Sequence, residues 1–276
     1  MGLPDPPGNR SPRLKKGAEL LASSDCSGAL AEFMAAAADG DAVAQFAAAA
    51  VISDFPELGH TAEESFELMR DSAEQGYAEA QYHLGNYFSL GYGTAKDLSK
   101  AFMWYERAAE QGHSRAQNQV GIMLLDGSGP RRDDALAAKM IAKSAEQGYS
   151  GAQFNLAVLY ENGEGVPQDH GKAFEWCSKA AEAGETRAMY NLAVMYHEGD
   201  GVPRDPRKAA EWYGKASDAG HPEAQYNLGL MLLSGDEIPA DPEKALSLFE
   251  KAAKAGVQDA KDAMKLARER LSGSEQ

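Results

Sequence analysis

"AEQGYAEAQYHLGNY" occupies residues 73–87, and the chain restates it as "AEQGHSRAQNQVGIM" at 109–123 and "AEQGYSGAQFNLAVL" at 145–159. The glycine of this phrase falls at 40, 76, 112, 148, 184, 220 and 256, so every interval is 36 residues. A fixed period of this length marks stacked supersecondary units, none of which can bury its apolar face alone. Counted from each glycine as zero, plus four is always alanine: Ala44, Ala80, Ala116, Ala152, Ala188, Ala224 and Ala260. From the second copy to the sixth, plus eight is Leu84, Val120, Leu156, Leu192 and Leu228, and plus nine is Gly85, Gly121, Ala157, Ala193 and Gly229. Together with plus twelve (Phe88, Leu124, Tyr160, Tyr196, Leu232) these positions share one side of a 3.6-residue helix.

A glycine-rich break follows, as at Gly91 and Gly93 or Gly163 and Gly165, where a helix can end in the left-handed conformation at little cost. Pro167, Pro203 and Pro239 block continuation, and Asp97, Asp133, Asp169, Asp205 and Asp241 read as caps of the next helix. The first copy has "TAEE" there, with Thr61 and Glu64 at capping-box spacing. The second helix carries bulky residues at plus 28 and 29 (Trp104 and Tyr105, Trp176 and Cys177, Trp212 and Tyr213) and small ones four residues later. Each copy is therefore an antiparallel helix pair. The three tryptophans are expected in the core, and Arg107 with Glu110, Lys143 with Glu146 and Lys179 with Glu182 are expected as surface ion pairs.

The ends fit a capped stack. Residues 1–12 are expected as a disordered arm, 13–39 as a capping helix pair, 40–255 as six repeats, 256–271 as a closing helix and 272–276 as a disordered tail. Net charge is −15, with +3 on the first sixteen residues and +2 on the last twenty-six, which leaves −20 on residues 17–250. An acidic body disfavours nucleic acid and anionic lipid as partners. Two distant cysteines, Cys26 and Cys177, make no disulfide framework, and no apolar run approaches the ~18 residues of a membrane span. Prolines near the start break any apolar leader, so a cytoplasmic monomer is the expectation.

"AQYNLGLMLLSG" (224–235), "AVLYENGEGVPQD" (157–169) and "KAAEWYGKASDAGHPEAQYNLG" (208–229) resemble Sel1-like repeats, relatives of the tetratricopeptide repeats. The resemblance covers roughly residues 40–270 and implies an all-α fold, an α/α right-handed superhelical solenoid. It also implies a protein-interaction scaffold or adaptor whose inner surface is built from the first helix of each pair. The first copy departs from the pattern with "DFPELGH" in place of the glycine pair, and the third with "GSGPRRDDALAA". The cysteine pairs of the family's secreted branch are absent.

On that implied inner surface the varying positions are plus three, six, seven, ten, thirteen and fourteen. Tyr82, Phe154, Tyr190 and Tyr226 stand at plus six, and His83, Gln119, Asn155, Asn191 and Asn227 form an amide-rich ladder at plus seven. Asn86 stands at plus ten, and Asp126, Glu161 and Glu198 give the surface an acidic side. These residues suit a partner protein or peptide with a basic segment; equally, the asparagines could fix the stack and the tyrosines could pack between repeats. Scattered histidines without an HExxH or CxxC pattern imply no metal and no cofactor. An inhibitor or immunity protein masking a toxin is the alternative to an adaptor. A β-lactamase-like hydrolase is a minor one, for which no SxxK or nucleophile elbow is found.

Overall fold

The computed structural model describes residues 11–273. Among them fifteen α-helices and one short 3-10 helix (Pro56–Leu58) make up the regular structure, with no strand. Helices α1 (Pro12–Ala22) and α2 (Cys26–Ala38) precede the periodic region. The first helices of the repeats are α3 (Ala42–Asp54), α5 (Ala78–Leu90), α7 (Ser114–Asp126), α9 (Ser150–Asn162), α11 (Thr186–Glu198) and α13 (Pro222–Ser234). Their partners are α4 (Ala62–Glu74), α6 (Leu98–Glu110), α8 (Asp134–Glu146), α10 (His170–Glu182), α12 (Pro206–Asp218) and α14 (Pro242–Lys254), and α15 (Ala260–Gly273) follows. The arm proposed for 1–12 lies, through residue 10, outside the described residues. Ser11 and Pro12 open α1, where Ser11 Oγ accepts the Leu14 N–H at 3.2 Å. Of the proposed tail, 274–276 lie outside the described residues and Ser272 belongs to α15.

The loops obey the local chemistry of their residues. Gly91, Gly127, Gly163, Gly199 and Gly235 close the first helices in the left-handed conformation, with φ between 70° and 81°. The N–H of Asp97, Asp169 and Asp205 then returns to the carbonyl of Phe88, Tyr160 and Tyr196 at 2.8–2.9 Å. Their carboxylates accept the N–H of Lys100, Lys172 and Lys208, capping the second helices. Thr61 and Glu64 form a reciprocal capping box on α4.

The chain divides into two compact units, residues 1–143 and 144–276. In the first, consecutive helices from α1 to α7 pack on one another; in the second, the same holds from α9 to α15. Packing follows one rule, in which a bulky residue of the second helix fills the space left by a small residue of the first. A Cβ added to Gly85 would stand 2.6 Å from the Tyr105 ring, one on Gly121 2.5 Å from Ile141, and one on Gly229 2.5 Å from Phe249. Tyr105, Ile141 and Phe249 are all fully buried, and each such side chain contributes roughly 1.5–3 kcal/mol.

Two expectations need correction. Trp104 is buried, but Trp176 and Trp212 are only half-buried. Their outer faces lie under cations: Lys179 Nζ is 4.0 Å from the Trp176 ring centre and Lys215 Nζ 3.6 Å from that of Trp212, while the Arg107 guanidinium covers Trp104 at 4.5 Å. Arg107 and Lys179 thus turn to the aromatic face three residues back instead of pairing with Glu110 and Glu182. Ring quadrupole and buried side-chain stem together outweigh an exposed ion pair.

Candidate partner-binding groove

In the first unit, α1 to α5 and the start of α7 border an open cavity of about 810 Å³. Its apolar lining includes Phe33, Phe46, Ala47, Ala50, Val51 and Met69, with Leu21 and Phe55 completing it. Its polar lining is Ser53, Asp54, Glu79, His83, Tyr87, His113, Ser114 and Arg115. The cavity exists because the first copy has alanines at plus seven and ten (Ala47 and Ala50), where the second has His83 and Asn86. Methyl groups leave open what imidazole and amide would occupy.

Glu79 organises the polar lining. One of its oxygens lies 3.0 Å from His113 Nε2 and the other 3.5 Å from His83 Nε2. His113 Nδ1 accepts the Ala116 N–H at 3.1 Å, capping α7, so its proton sits on Nε2 and is donated to Glu79. Hydrogen bonds from His113 and then His83 hold the Glu79 carboxyl well below the usual carboxylate range, against the opposing effect of its burial. Tyr87 is tied down by its hydroxyl to Ser65 Oγ at 2.8 Å. The rigid polar wall thus stands beside Phe46, whose ring centre is 5.3 Å from that of His83.

Of the residues derived from the sequence, His83 lines this cavity. Several others are engaged by neighbouring helices. Tyr82 stacks on His113 at 4.8 Å, and Tyr190 stacks on His221 at 4.5 Å with the rings 9° apart. Tyr226 leans on Phe249, with ring centres 5.9 Å apart. Asn86 accepts the Tyr105 hydroxyl at 2.7 Å, and Asn227 donates to the Tyr213 hydroxyl at 3.4 Å. Phe154 carries the Arg187 guanidinium at 4.6 Å, and Gln119, Asn155 and Asn191 are half-buried. Asp126 accepts the Ser128 N–H at the end of its helix and Glu198 is exposed. Glu161 is half-buried, its carboxyl pushed up by burial and by the charges of Asp200 and Glu198.

A second amide ladder binds repeat to repeat at plus five, alongside the Asn227–Tyr213 bond at plus seven. Gln81, Gln117, Gln153 and Gln225 are buried and donate to the carbonyls of Ala73, Ala109, Ala145 and Ser217 at 3.1–3.3 Å. The cavity residues Phe46, Asp54, Glu79, His113 and Arg115 were not singled out by sequence. The varying register already contained four of them, as plus six and fourteen of the first copy and plus three of the second and third. Cys177 is buried, its Sγ 3.3 Å from the Ala188 carbonyl, and burial pushes the thiol up to about 12, the environment of an inert structural cysteine.

Helix hairpins repeated on a 36-residue register define a helical-repeat solenoid. The Sel1 repeat family model matches residues 78–113, 114–149, 150–185, 186–221 and 222–257, and the chain belongs to the Sel1 repeat family. The copy counted over 40–75 stands outside that match. The chain is similar in structure to c5321, a protective antigen of uropathogenic Escherichia coli strains with an SLR fold (TM-score 0.79, 30% identity). That likeness covers 94% of this chain, which spans 56% of the antigen's length. It is also similar to a Sel1 repeat protein from Oxalobacter formigenes (TM-score 0.76, 28% identity), over 88% of this chain and 97% of the other. A comparison with curated proteins returned no match. Sel1 repeat proteins generally work as non-catalytic scaffolds that bind other proteins. No helix among the described residues is long and apolar enough to cross a membrane.

Proposed function

We propose that this chain is a non-catalytic adaptor that holds a segment of a partner protein in the cavity of its first unit. The observation that carries this reading is the cavity itself: about 810 Å³, open to solvent, apolar in its depth and bordered by charged side chains. Apolar anchors would enter among Phe33, Phe46 and Val51, while the Glu79–His83–His113 wall offers fixed hydrogen-bonding edges. In the second unit Phe154, Asn155, Tyr190, Asn191, Tyr226 and Asn227 present half-buried aromatic and amide surface for further contact. The strong net negative charge favours a partner whose surface is basic overall.

The test is capture of the partner from a lysate of the source cells by the immobilised chain, compared with Ala50→Trp. Ala50 is half-buried on the cavity wall, and an indole there fills the space without entering the core. The partner band should disappear with Ala50→Trp while the circular dichroism spectrum stays unchanged. A band that survives the filled cavity overturns the reading.

A further inference from the structure

Two charges on the cavity wall are set against the helices that carry them. Asp54 is the last residue of α3, where the helix end is already partially negative. Arg115 is the second residue of α7, where the helix end is partially positive. Both are exposed, and neither forms an ion pair among the described residues. The remaining acid of the wall, Glu79, is satisfied by two histidines. The cavity therefore presents one uncompensated anion and one uncompensated cation, carried on different helices, with apolar lining that includes Phe46, Ala47 and Ala50.

We infer that the occupant is a dipolar peptide segment, with a Lys or Arg that meets Asp54, an Asp or Glu that meets Arg115, and an apolar side chain between them. This rests on the proposed adaptor function and adds the charge order of the ligand. A bound segment of this polarity completes what each helix end lacks: its cation sits at the negative end of α3 and its anion at the positive end of α7. A uniformly basic segment leaves Arg115 facing a like charge, and a uniformly acidic one does the same at Asp54.

Panning a phage-displayed library of random peptides on the intact chain tests the charge order. The wild-type chain should enrich peptides with opposite charges on the two sides of an apolar residue. Asp54→Lys, which leaves both sites positive, should enrich peptides acidic on both sides. Arg115→Glu, which leaves both negative, should enrich peptides basic on both sides. Wild-type peptides should lose affinity by about tenfold or more against either variant. The same consensus from all three proteins, absent from Ala50→Trp, overturns the charge order and leaves the cavity reading standing. A consensus that Ala50→Trp also enriches, or no enrichment by the wild type, overturns the cavity reading and the charge order with it.

Discussion

Gly85 and Gly214 occupy helices of the same length, yet their surroundings oppose each other. A methyl group on Gly85 would meet the Tyr105 ring at 2.6 Å, whereas nothing lies within 4 Å of one on Gly214. Gly85→Ala should lower stability by about 1–3 kcal/mol through overpacking. Gly214→Ala should raise it by roughly 0.5–1 kcal/mol, because only the helical entropy changes. Urea midpoints measured side by side check both signs. His221 carries a pH dependence of its own. It caps α13 by accepting the Ala224 N–H at Nδ1 and stacks on Tyr190. Burial pulls its pKa below the ordinary 6.5, opposed by Glu223. Its contribution is whole above that value, where folded and unfolded forms are both neutral. As pH falls, the unfolded chain takes up the proton first and stability drops until the folded histidine titrates. His221→Asn, which keeps a capping oxygen, should flatten the decline in urea midpoint as pH falls through about 6.5.

The loops between helices show how much of an element is encoded locally. Aspartate caps, left-handed glycines and the Thr61–Glu64 box involve groups within a few residues of one another, so their spacing suffices to place them. Asp54 and Arg115 break the same rules at their helix ends. Reversing either charge should stabilise the free protein by about 0.3–1 kcal/mol while removing the wild-type peptide preference. Denaturant titrations of Asp54→Lys and Arg115→Glu should therefore move opposite to peptide affinity. A loss of both would mean these side chains serve the fold instead. The glutamines at plus five escaped the sequence reading for a physical reason. An amide at plus five and one at plus seven look alike in a helical pattern. Only the rotation of each helix against its neighbour decides which of them meets a carbonyl.

At the scale of the whole molecule the exact period has a consequence for folding. Because consecutive helices within each unit pack on one another, stability is approximately a sum of repeat and interface contributions. Removing residues 186–221, one matched repeat, joins Glu185 to Pro222 in the register that Glu185 and Thr186 already hold. The shortened chain should keep the helical content per residue and a cooperative thermal transition. A deletion that leaves out a different number of residues should break the stack at the junction. Circular dichroism melts of the two shortened chains distinguish these outcomes.

Helix boundaries, capping, the small-against-large pairing and membership of a repeat family were all legible in the chain, because a period of 36 residues states the same local solution many times. The cavity was not. It is an absence, made where the alanines of α3 come to lie beside residues of α2, α5 and α7, and empty space has no letter of its own. Tyr82 and Tyr190 varied as surface residues do, yet each closes on a histidine one repeat away. Sequence variation reports freedom from the repeat's own packing rule; whether a side chain then meets a neighbour or solvent depends on distances that exist only after the helices have stacked.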